Sequence, residues 1–483
     1  MSSLLKNKFF LPVVHILAGI IYALNFPFIG KFTIFPTIFI SAAVLFYGLK
    51  NENRFKYNLL NIFLFCWGYN FAGYYWLTFT LNEFGNLFFP FNFILWQLFS
   101  VIIAPQFYLF LIIFFLLKKH VKIDTLAGGV LYSLIFVALE YFTPQQFPAL
   151  FGHPWLKVSP FLKPARLLGV PFYSFLSLFI GHLIFMFYQK QRLPKAQGGI
   201  ILALLLVNFG VGPIKAKIGD DLKIRIVQGN IGNDLKLKSE QGLRLASSEV
   251  INIYKDLSLA EGIDDIDLVI WPETSYPRFI FSRENKKLAG ELMDLFVNSE
   301  ASYFFGTYDL ASTNPSVLEN TYNATVLSRG EGIIDQVYHK QVLIPFGEGL
   351  PFGPLNKYLA PHLTNISFFA SGTKYTNFEV KNKNFISLIC YEVLFPRYVG
   401  KYIKEVKKRG EKIDFIVNVT NDSWYGPYSE QEQHLFLAKW RAVEFNLPII
   451  RATNTGISAV IKQDGRELIR TENFKQEIKD FSL

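Results

Sequence analysis

FISLICYEVLFP, residues 385–396, is the stretch that decides the fold of the polar half of this chain. Five apolar or small residues run unbroken into Cys390, and Tyr391, Glu392 and a proline-ended apolar turn follow. Such a run is expected of a strand buried on both faces, as in a sheet covered by helices. Six further stretches read the same way: LKIRIVQGNI (222–231), IDLVIWPE (266–273), SYFFGTYD (302–309), NATVLS (323–328), DFIVNVTND (414–422) and PIIRATNTGISAVI (448–461). Amphipathic stretches fall between them near 240–260, 284–298, 397–410 and 430–446. The alternation predicts an α/β domain over residues 215–483.

Before Lys215 the chain is of another kind. The whole sequence is 51% hydrophobic and 17% aromatic, with 51 Phe and only 18% charged residues, more apolar surface than a water-soluble core can hide. Charge-free apolar runs fall at about 9–29, 32–49, 57–80, 91–117, 125–142, 167–189 and 197–213. Most reach or approach the ~20 residues that cross ~30 Å of hydrocarbon as a helix. The reading is a membrane domain of seven spans over 1–214, its first helix uncleaved because no small-x-small site follows it.

Loop charges orient these spans. The N-terminus (Lys6, Lys8) and the loops 50–56, 118–122 and 190–195 carry 2, 3, 3 and 3 basic residues, against 1, 0 and 3 in the alternate loops. Cytoplasmic loops hold the excess of Lys and Arg, so the N-terminus is expected in the cytoplasm and residue 215 onward on the outer face. The net charge of +10 belongs to this half: residues 1–214 hold 15 basic and 4 acidic side chains, residues 215–483 hold 33 and 34. That argues against nucleic acid as a partner. Two outer loops, Thr80–Pro90 and Tyr141–Pro160, are rich in aromatics, Pro and Gly, which fits an interfacial belt or a floor for a lipid tail. Glu140 reads as a helix-end carboxylate near water, and His15 and His182 as donors between helices.

The chemistry lies at strand ends. Glu273 follows a buried strand and a Trp-Pro pair. In HKQVLIPFGEGLPFG (339–353), Lys340 precedes a Pro/Gly-rich loop containing Glu348. Cys390 is the one cysteine of the polar half, Cys66 being in an apolar run, so no disulfide forms there. Taken singly, the thiol reads as a small core residue, the glutamate as a strand end and the lysine as surface. Together a carboxylate can take the proton of a thiol whose pKa is ~8.5, and an ammonium can favour a thiolate or an oxyanion. The backbone N–H of Tyr391 is a second oxyanion donor in this reading. The His and Cys spacing shows no zinc pattern, no phosphate-binding glycine loop is present, and no cofactor or metal is expected.

WPE (271–273), HKQVLIPFGEGLP, ICYE (389–392), NDSWYG (421–426) and RAVE (441–444) with RATNTGIS (451–458) resemble the carbon–nitrogen hydrolase (nitrilase) superfamily. Seven preceding spans, GEGLP and CYE narrow the resemblance to the apolipoprotein N-acyltransferases of bacterial inner membranes, over nearly the whole chain. The membrane half contributes Tyr75-Trp76 and Gly152–Trp155. The resemblance implies an αββα sandwich, with Glu273 as general base, Lys340 as oxyanion stabiliser and Cys390 as nucleophile. It marks Glu348, Tyr391 and Glu392 as supporting residues and Trp424 as a hydrophobic position near substrate.

The implied reaction moves an acyl chain from a phospholipid to Cys390 as a thioester, then to the α-amine of a diacylglyceryl-cysteine at the start of an apolipoprotein. Membrane lipid is thus a partner, and a monomer is expected. Water must be kept from the thioester, which makes Asn365–Ala370 and Trp424–Tyr428 candidate lids. The family usually carries an eighth span after the catalytic domain, and this chain stops at Phe481–Leu483. A membrane-tethered amidase using the same triad is the main alternative; a scaffold or transporter fits the residues less well.

Overall fold

The computed structural model describes residues 10–483 apart from 84, 192–193, 217–218, 281–286, 289, 312–319 and 363–366. Lys6, Lys8 and Arg192 of the loop-charge count, and Asn365 and Ile366 of one lid segment, lie outside the described residues. The chain divides into two compact units, Met1–Ile214 with Tyr428–Glu444, and Lys215–Pro427 with Phe445–Leu483.

The first unit is helical: α1 (Phe10–Ala23), α2 (Ile38–Asn51), α3 (Phe55–Gly73), α4 (Leu77–Glu83), α5 (Phe91–Ile102), α6 (Pro105–Leu117), α7 (Leu126–Phe142), α8 (Ala165–Lys190) and α9 (Lys195–Gly210). Each apolar run of the sequence contains a helix, with two differences. The run 57–80 ends as α3 at Gly73, and α4 is a separate short helix. The run 91–117 is broken into α5 and α6 at Pro105, which has no N–H to donate and forces Ala104 out of helical geometry. Among the described residues, Phe91–Leu117 and Ala165–Lys190 are long and apolar enough to cross a membrane, by length and composition.

Apolar helices without an aqueous driving force between them pack through small residues. A Cβ on Gly19 of α1 would lie 2.0 Å from the Phe65 carbonyl oxygen of α3, and one on Gly68 of α3 would lie 2.3 Å from that of Ile16. Gly181 of α8 meets Ala42 of α2 in the same way. Polar side chains buried between the helices bond to neighbouring elements: Asn70 donates to the Trp96 carbonyl (2.8 Å) and Ser100 Oγ (3.0 Å). His15 contacts the Leu11 carbonyl at 2.8 Å and His182 that of Ile123 at 2.7 Å. Glu140 differs from expectation. It is buried, accepting from the Phe151 N–H at 2.9 Å, because the 141–160 segment folds back over the end of α7.

Helix α15 (Glu430–Phe445), although it comes late in the sequence, belongs to this unit through residue 444. Gln433 donates to the Pro27 and Gly73 carbonyls (3.0 and 3.1 Å) and accepts from Trp76 Nε1 (3.2 Å). Trp440 donates to the His153 carbonyl (2.9 Å), and Glu444 accepts from the Val170 N–H (3.1 Å).

The second unit is built on two six-stranded sheets. The first, in order β12-β1-β2-β3-β4-β5, contains β1 (Lys223–Gln228), β2 (Leu268–Ile270), β3 (Ser302–Leu310), β4 (Thr321–Arg329), β5 (Ile333–His339) and β12 (Glu477–Ser482). The second, in order β11-β10-β9-β8-β7-β6, contains β6 (Asn377–Val380), β7 (Lys383–Ile389), β8 (Phe415–Thr420), β9 (Ile449–Thr453), β10 (Ala459–Ile461) and β11 (Glu467–Arg470). Each has a parallel triplet, β1-β2-β3 or β7-β8-β9, with antiparallel strands outside it.

The sheets pack face to face. Phe304 of β3 meets Phe378 and Phe385 edge-on with centroids 5.1 Å apart, and Thr325 of β4 donates to Ser387 of β7 at 3.0 Å. The outer face of the first sheet is covered by α11 (Arg244–Ser258), whose Val250, Ile251 and Tyr254 pack on Val227, Val269 and Trp271. On α14 (Pro396–Lys408), Val399, Tyr402, Ile403 and Val406 form the buried stripe at helical spacing. The fold is the nitrilase-like α/β sandwich expected after a helical N-terminal region.

Candidate active site

Parallel strands expose their carboxyl ends on one edge of a sheet, where the chain leaves for the next helix and side chains are free to converge. Glu273 stands three residues beyond β2, Lys340 directly after β5, Cys390 directly after β7, and Asn421 directly after β8. Strand β4 runs antiparallel to its neighbours, so Asn323 near its start reaches the same edge.

Lys340 Nζ lies between two carboxylates, 2.7 Å from Glu348 Oε1 and 3.3 Å from Glu273 Oε1. Asn323 Nδ2 donates to the same two oxygens, at 2.8 Å to Glu273 and 3.1 Å to Glu348. The second oxygen of each carboxylate is held by backbone: the Asn421 N–H donates to Glu273 Oε2 (3.0 Å) and the Ile344 N–H to Glu348 Oε2 (3.0 Å). All of these side chains are buried. Burial alone would push the Lys340 ammonium down, but Glu273 and Glu348 outweigh it and the group is raised, so it stays charged.

Cys390 is buried and feels Glu273, Lys340 and Asp422, while the Thr420 hydroxyl is hydrogen-bonded to its sulfur. Burial, then the Glu273 charge, push its pKa well above the ordinary thiol value, and Lys340 opposes them. The group is therefore held as a thiol, not a thiolate, and attack by its sulfur would need a base to take the proton. Its backbone is in the left-handed region (φ 49°), a conformation that costs a non-glycine residue about 1–3 kcal/mol. Thr274, next to Glu273, has φ 46°, and Phe346, in the loop between Lys340 and Glu348, has φ 66°.

Glu392 secures the cysteine turn. Its Oε2 accepts from the Ile389 N–H (2.8 Å), while Oε1 accepts from the Gln341 N–H (2.7 Å), the Val342 N–H (3.1 Å) and the Tyr338 hydroxyl (2.7 Å). One carboxylate thus ties the chain before Cys390 to the chain after Lys340. Burial lifts its pKa above the usual carboxylate value, with the donors opposing.

Of the residues expected from sequence, Glu273, Lys340, Glu348 and Cys390 come together, and Glu392 braces them. The Tyr391 ring turns onto Phe395, with centroids 4.7 Å apart. Trp424 is half-buried in the short turn Asp422–Tyr425 that follows Asn421. Sequence reasoning missed Asn323 and Thr420. Both stand at ends of strands that it recognised, and a polar residue there was the available signal.

The carbon-nitrogen hydrolase family model matches residues 223–479, the stretch that carries every one of these groups. The chain belongs to the carbon–nitrogen hydrolase family. Ahead of this domain, residues 18–183 match the apolipoprotein N-acyltransferase N-terminal domain. The chain is 25% identical to the apolipoprotein N-acyltransferase of Haemophilus influenzae, over 97% of its own length and 88% of that protein. It is 27% identical to that of Pasteurella multocida, over 97% and 89%. A third, from Rhodopseudomonas palustris, is 31% identical over 58% of this chain and 51% of its own.

Proposed function

We propose that the chain transfers an acyl group from a phospholipid to the N-terminal amine of a diacylglyceryl-cysteine on an apolipoprotein, through a thioester on Cys390. The observation that carries the chemistry is the ammonium of Lys340 held between Glu273 and Glu348 beside a buried thiol. The relatives' name, apolipoprotein N-acyltransferase, supports the choice of an apolipoprotein amine as acceptor.

In the first step Glu273 takes the thiol proton as the sulfur attacks an ester carbonyl. Lys340 stabilises the tetrahedral oxyanion, with the Tyr391 N–H as second donor. Collapse breaks the ester C–O bond, the proton returns from Glu273 to the departing oxygen, and a lysophospholipid leaves. In the second step the amine attacks the thioester carbonyl and Glu273 accepts the ammonium proton. The C–S bond breaks, the thiol is reprotonated and an amide remains. Glu348 and Asn323 hold Lys340 and Glu273 in register, and Trp424 contributes an apolar surface for the chain.

The same reading places the catalytic unit outside the cytoplasmic membrane. Helices α1, α2, α3, α5 with α6, α7, α8 and α9 give seven crossings if the broken pair counts as one, and the loop charges set the N-terminus inside.

The test is mass spectrometry of the full chain in detergent after incubation with phospholipid vesicles. An acyl adduct on the Cys390 peptide, released by a diacylated lipopeptide with a free amine, is the expected result. Absence of an adduct together with turnover of a small amide would instead establish the amidase.

A further inference from the structure

Lys236 is buried yet has no part in the chemistry above. It lies on α10 (Asn233–Glu240), between Asp234 and Lys238, whose side chains are exposed and pair with each other. Its ammonium instead points inward, donating to the carbonyl oxygen of Thr274 and lying 3.3 Å from Glu240 Oε1.

Thr274 is the residue after Glu273, in the left-handed region. Its hydroxyl donates to Glu240 Oε1 at 3.4 Å, and the buried Tyr308 hydroxyl is hydrogen-bonded to both Glu240 and Thr274. From the other side the turn is pressed by β3. A Cβ on Gly306 would lie 2.4 Å from the Thr274 nitrogen and 2.6 Å from the Glu273 Cα. The Gly306 N–H and Ser275 hydroxyl both donate to the Pro272 carbonyl, at 3.0 and 2.8 Å. The strained turn is thus fixed by backbone on one side and on the other by the Lys236 ammonium together with Glu240 and the Tyr308 hydroxyl.

We infer that Lys236 is a positioning residue for Glu273: it holds the Thr274 carbonyl, so fixing the direction in which the carboxylate leaves β2, and places a cation behind that carboxylate. Burial lowers the pKa of this ammonium below the ordinary lysine value, and Glu240, then Glu273, oppose that fall by favouring the charged form. The groups facing Glu273 are then Lys340 and Lys236 as cations, Glu348 as the anion, and the neutral Asn323, Tyr308 and Cys390. The inference rests on Glu273 acting as base for Cys390.

The experiment uses iodoacetamide, which needs no acyl donor. The rate of Cys390 alkylation is followed across pH by peptide mass spectrometry, which separates it from Cys66, on the full chain in detergent. Glu273→Gln is run first; if it leaves the rate unchanged, the base assignment falls, and this inference with it. If it slows the rate, Lys236→Met is expected to slow alkylation at least ~10-fold near neutral pH. It should also move the acid limb to higher pH, because removing a cation disfavours an ionised carboxylate. A purely structural lysine would not produce that shift. Lys236→Gln keeps a donor for the Thr274 carbonyl without the charge, and stands in if the methionine variant does not fold. Lys236→Arg keeps the charge, so its acid limb should stay at the wild-type pH even where its bulkier planar fork slows the rate. Wild-type rate and pH profile in either neutral variant overturns the inference, with the base assignment intact.

Discussion

Glu392→Gln changes one atom, and the structure allows its effect to be worked through. Every partner of this carboxylate is a donor: three backbone N–H groups and the Tyr338 hydroxyl. Glutamine has one acceptor oxygen and one NH2. Its better orientation puts the oxygen where Oε1 meets three donors, leaving the NH2 against the Ile389 N–H. Three charge-assisted bonds become neutral ones, a loss of about 1 kcal/mol each, and one buried donor is left unsatisfied at about 1–3 kcal/mol. The total is roughly 4–6 kcal/mol, against a domain stability of about 5–15 kcal/mol. Part will be recovered by local shifts, so about 3–4 kcal/mol should be measured, or roughly 10 °C in the melting temperature of the α/β unit. Those shifts displace the turn that carries Cys390, and misplacement near 1 Å costs about 100-fold in rate. Thermal unfolding followed by near-UV circular dichroism and the Cys390 alkylation rate read the two effects on the full chain. An unchanged melting temperature with an unchanged rate would refute the view that Glu392 holds the cysteine turn.

Cys390→Ala should abolish the acyl adduct while leaving the fold intact, measured by intact-protein mass spectrometry and circular dichroism. Because burial and Glu273 raise the Cys390 thiol, its thiolate is scarce near neutral pH and reactivity depends on the base. Glu273→Gln removes a charge that raises the thiol as well as the base itself. Loss of the base should lower alkylation about 100-fold near neutral pH, with recovery at alkaline pH as the thiol ionises unaided. Lys340→Met removes the cation that, with the Thr420 hydroxyl, lowers the thiol, so the alkaline rise moves to higher pH in stopped-flow alkylation. Gly306→Ala must push the Glu273 turn aside, with an expected loss of about 1–3 kcal/mol by thermal unfolding and a slower Cys390. Gly68→Ala forces α1 from α3 and should lower the thermal stability of the helical unit in detergent without changing the Cys390 alkylation rate.

How much of this was legible depends on whether a residue's surroundings are local. Glu273 and Cys390 close strands whose apolar runs are visible in one dimension, so the ends of β2 and β7 could be placed from sequence. The expected pattern also captured β1, β3, β4, β8 and β9. It missed β5, β6, β11 and β12, the outer strands, because IIDQVYH and EIKDFS carry polar side chains that an edge strand can leave half-exposed. Glu140 looked like a helix end near water because the chain that folds over it is distant in sequence. The run NDLKLKSE around Lys236 reads as a solvated helix with alternating charge. Only the approach of the Thr274 turn makes its first lysine a buried one.

Cys390, Thr274 and Phe346 all hold left-handed backbone without being glycine, and each lies beside a group of the site. Together they represent several kcal/mol of strain, if each costs about 1–3 kcal/mol. Folding sustains it where bonds from other elements converge: Glu392 on the cysteine turn, Lys236 and Gly306 on the glutamate turn. For Phe346 the hold is closer, since its N–H donates to the Gly349 carbonyl at 2.7 Å while Glu348 reaches back to the Ile344 N–H. The three turns point Glu273, Lys340 with Glu348, and Cys390 at one another before any substrate arrives. On the proposed chemistry, the geometry of the site is then set in folding rather than assembled during reaction. The strain and the supporting bonds should fail together. Removing a brace at one turn is expected to slow Cys390 without altering the charge of the groups at the other two, so paired variants such as Glu392→Gln with Gly306→Ala should show rate losses that multiply. A double variant no slower than the worse single one would mean that the turns move as one cooperative unit, and that the braces are not separable.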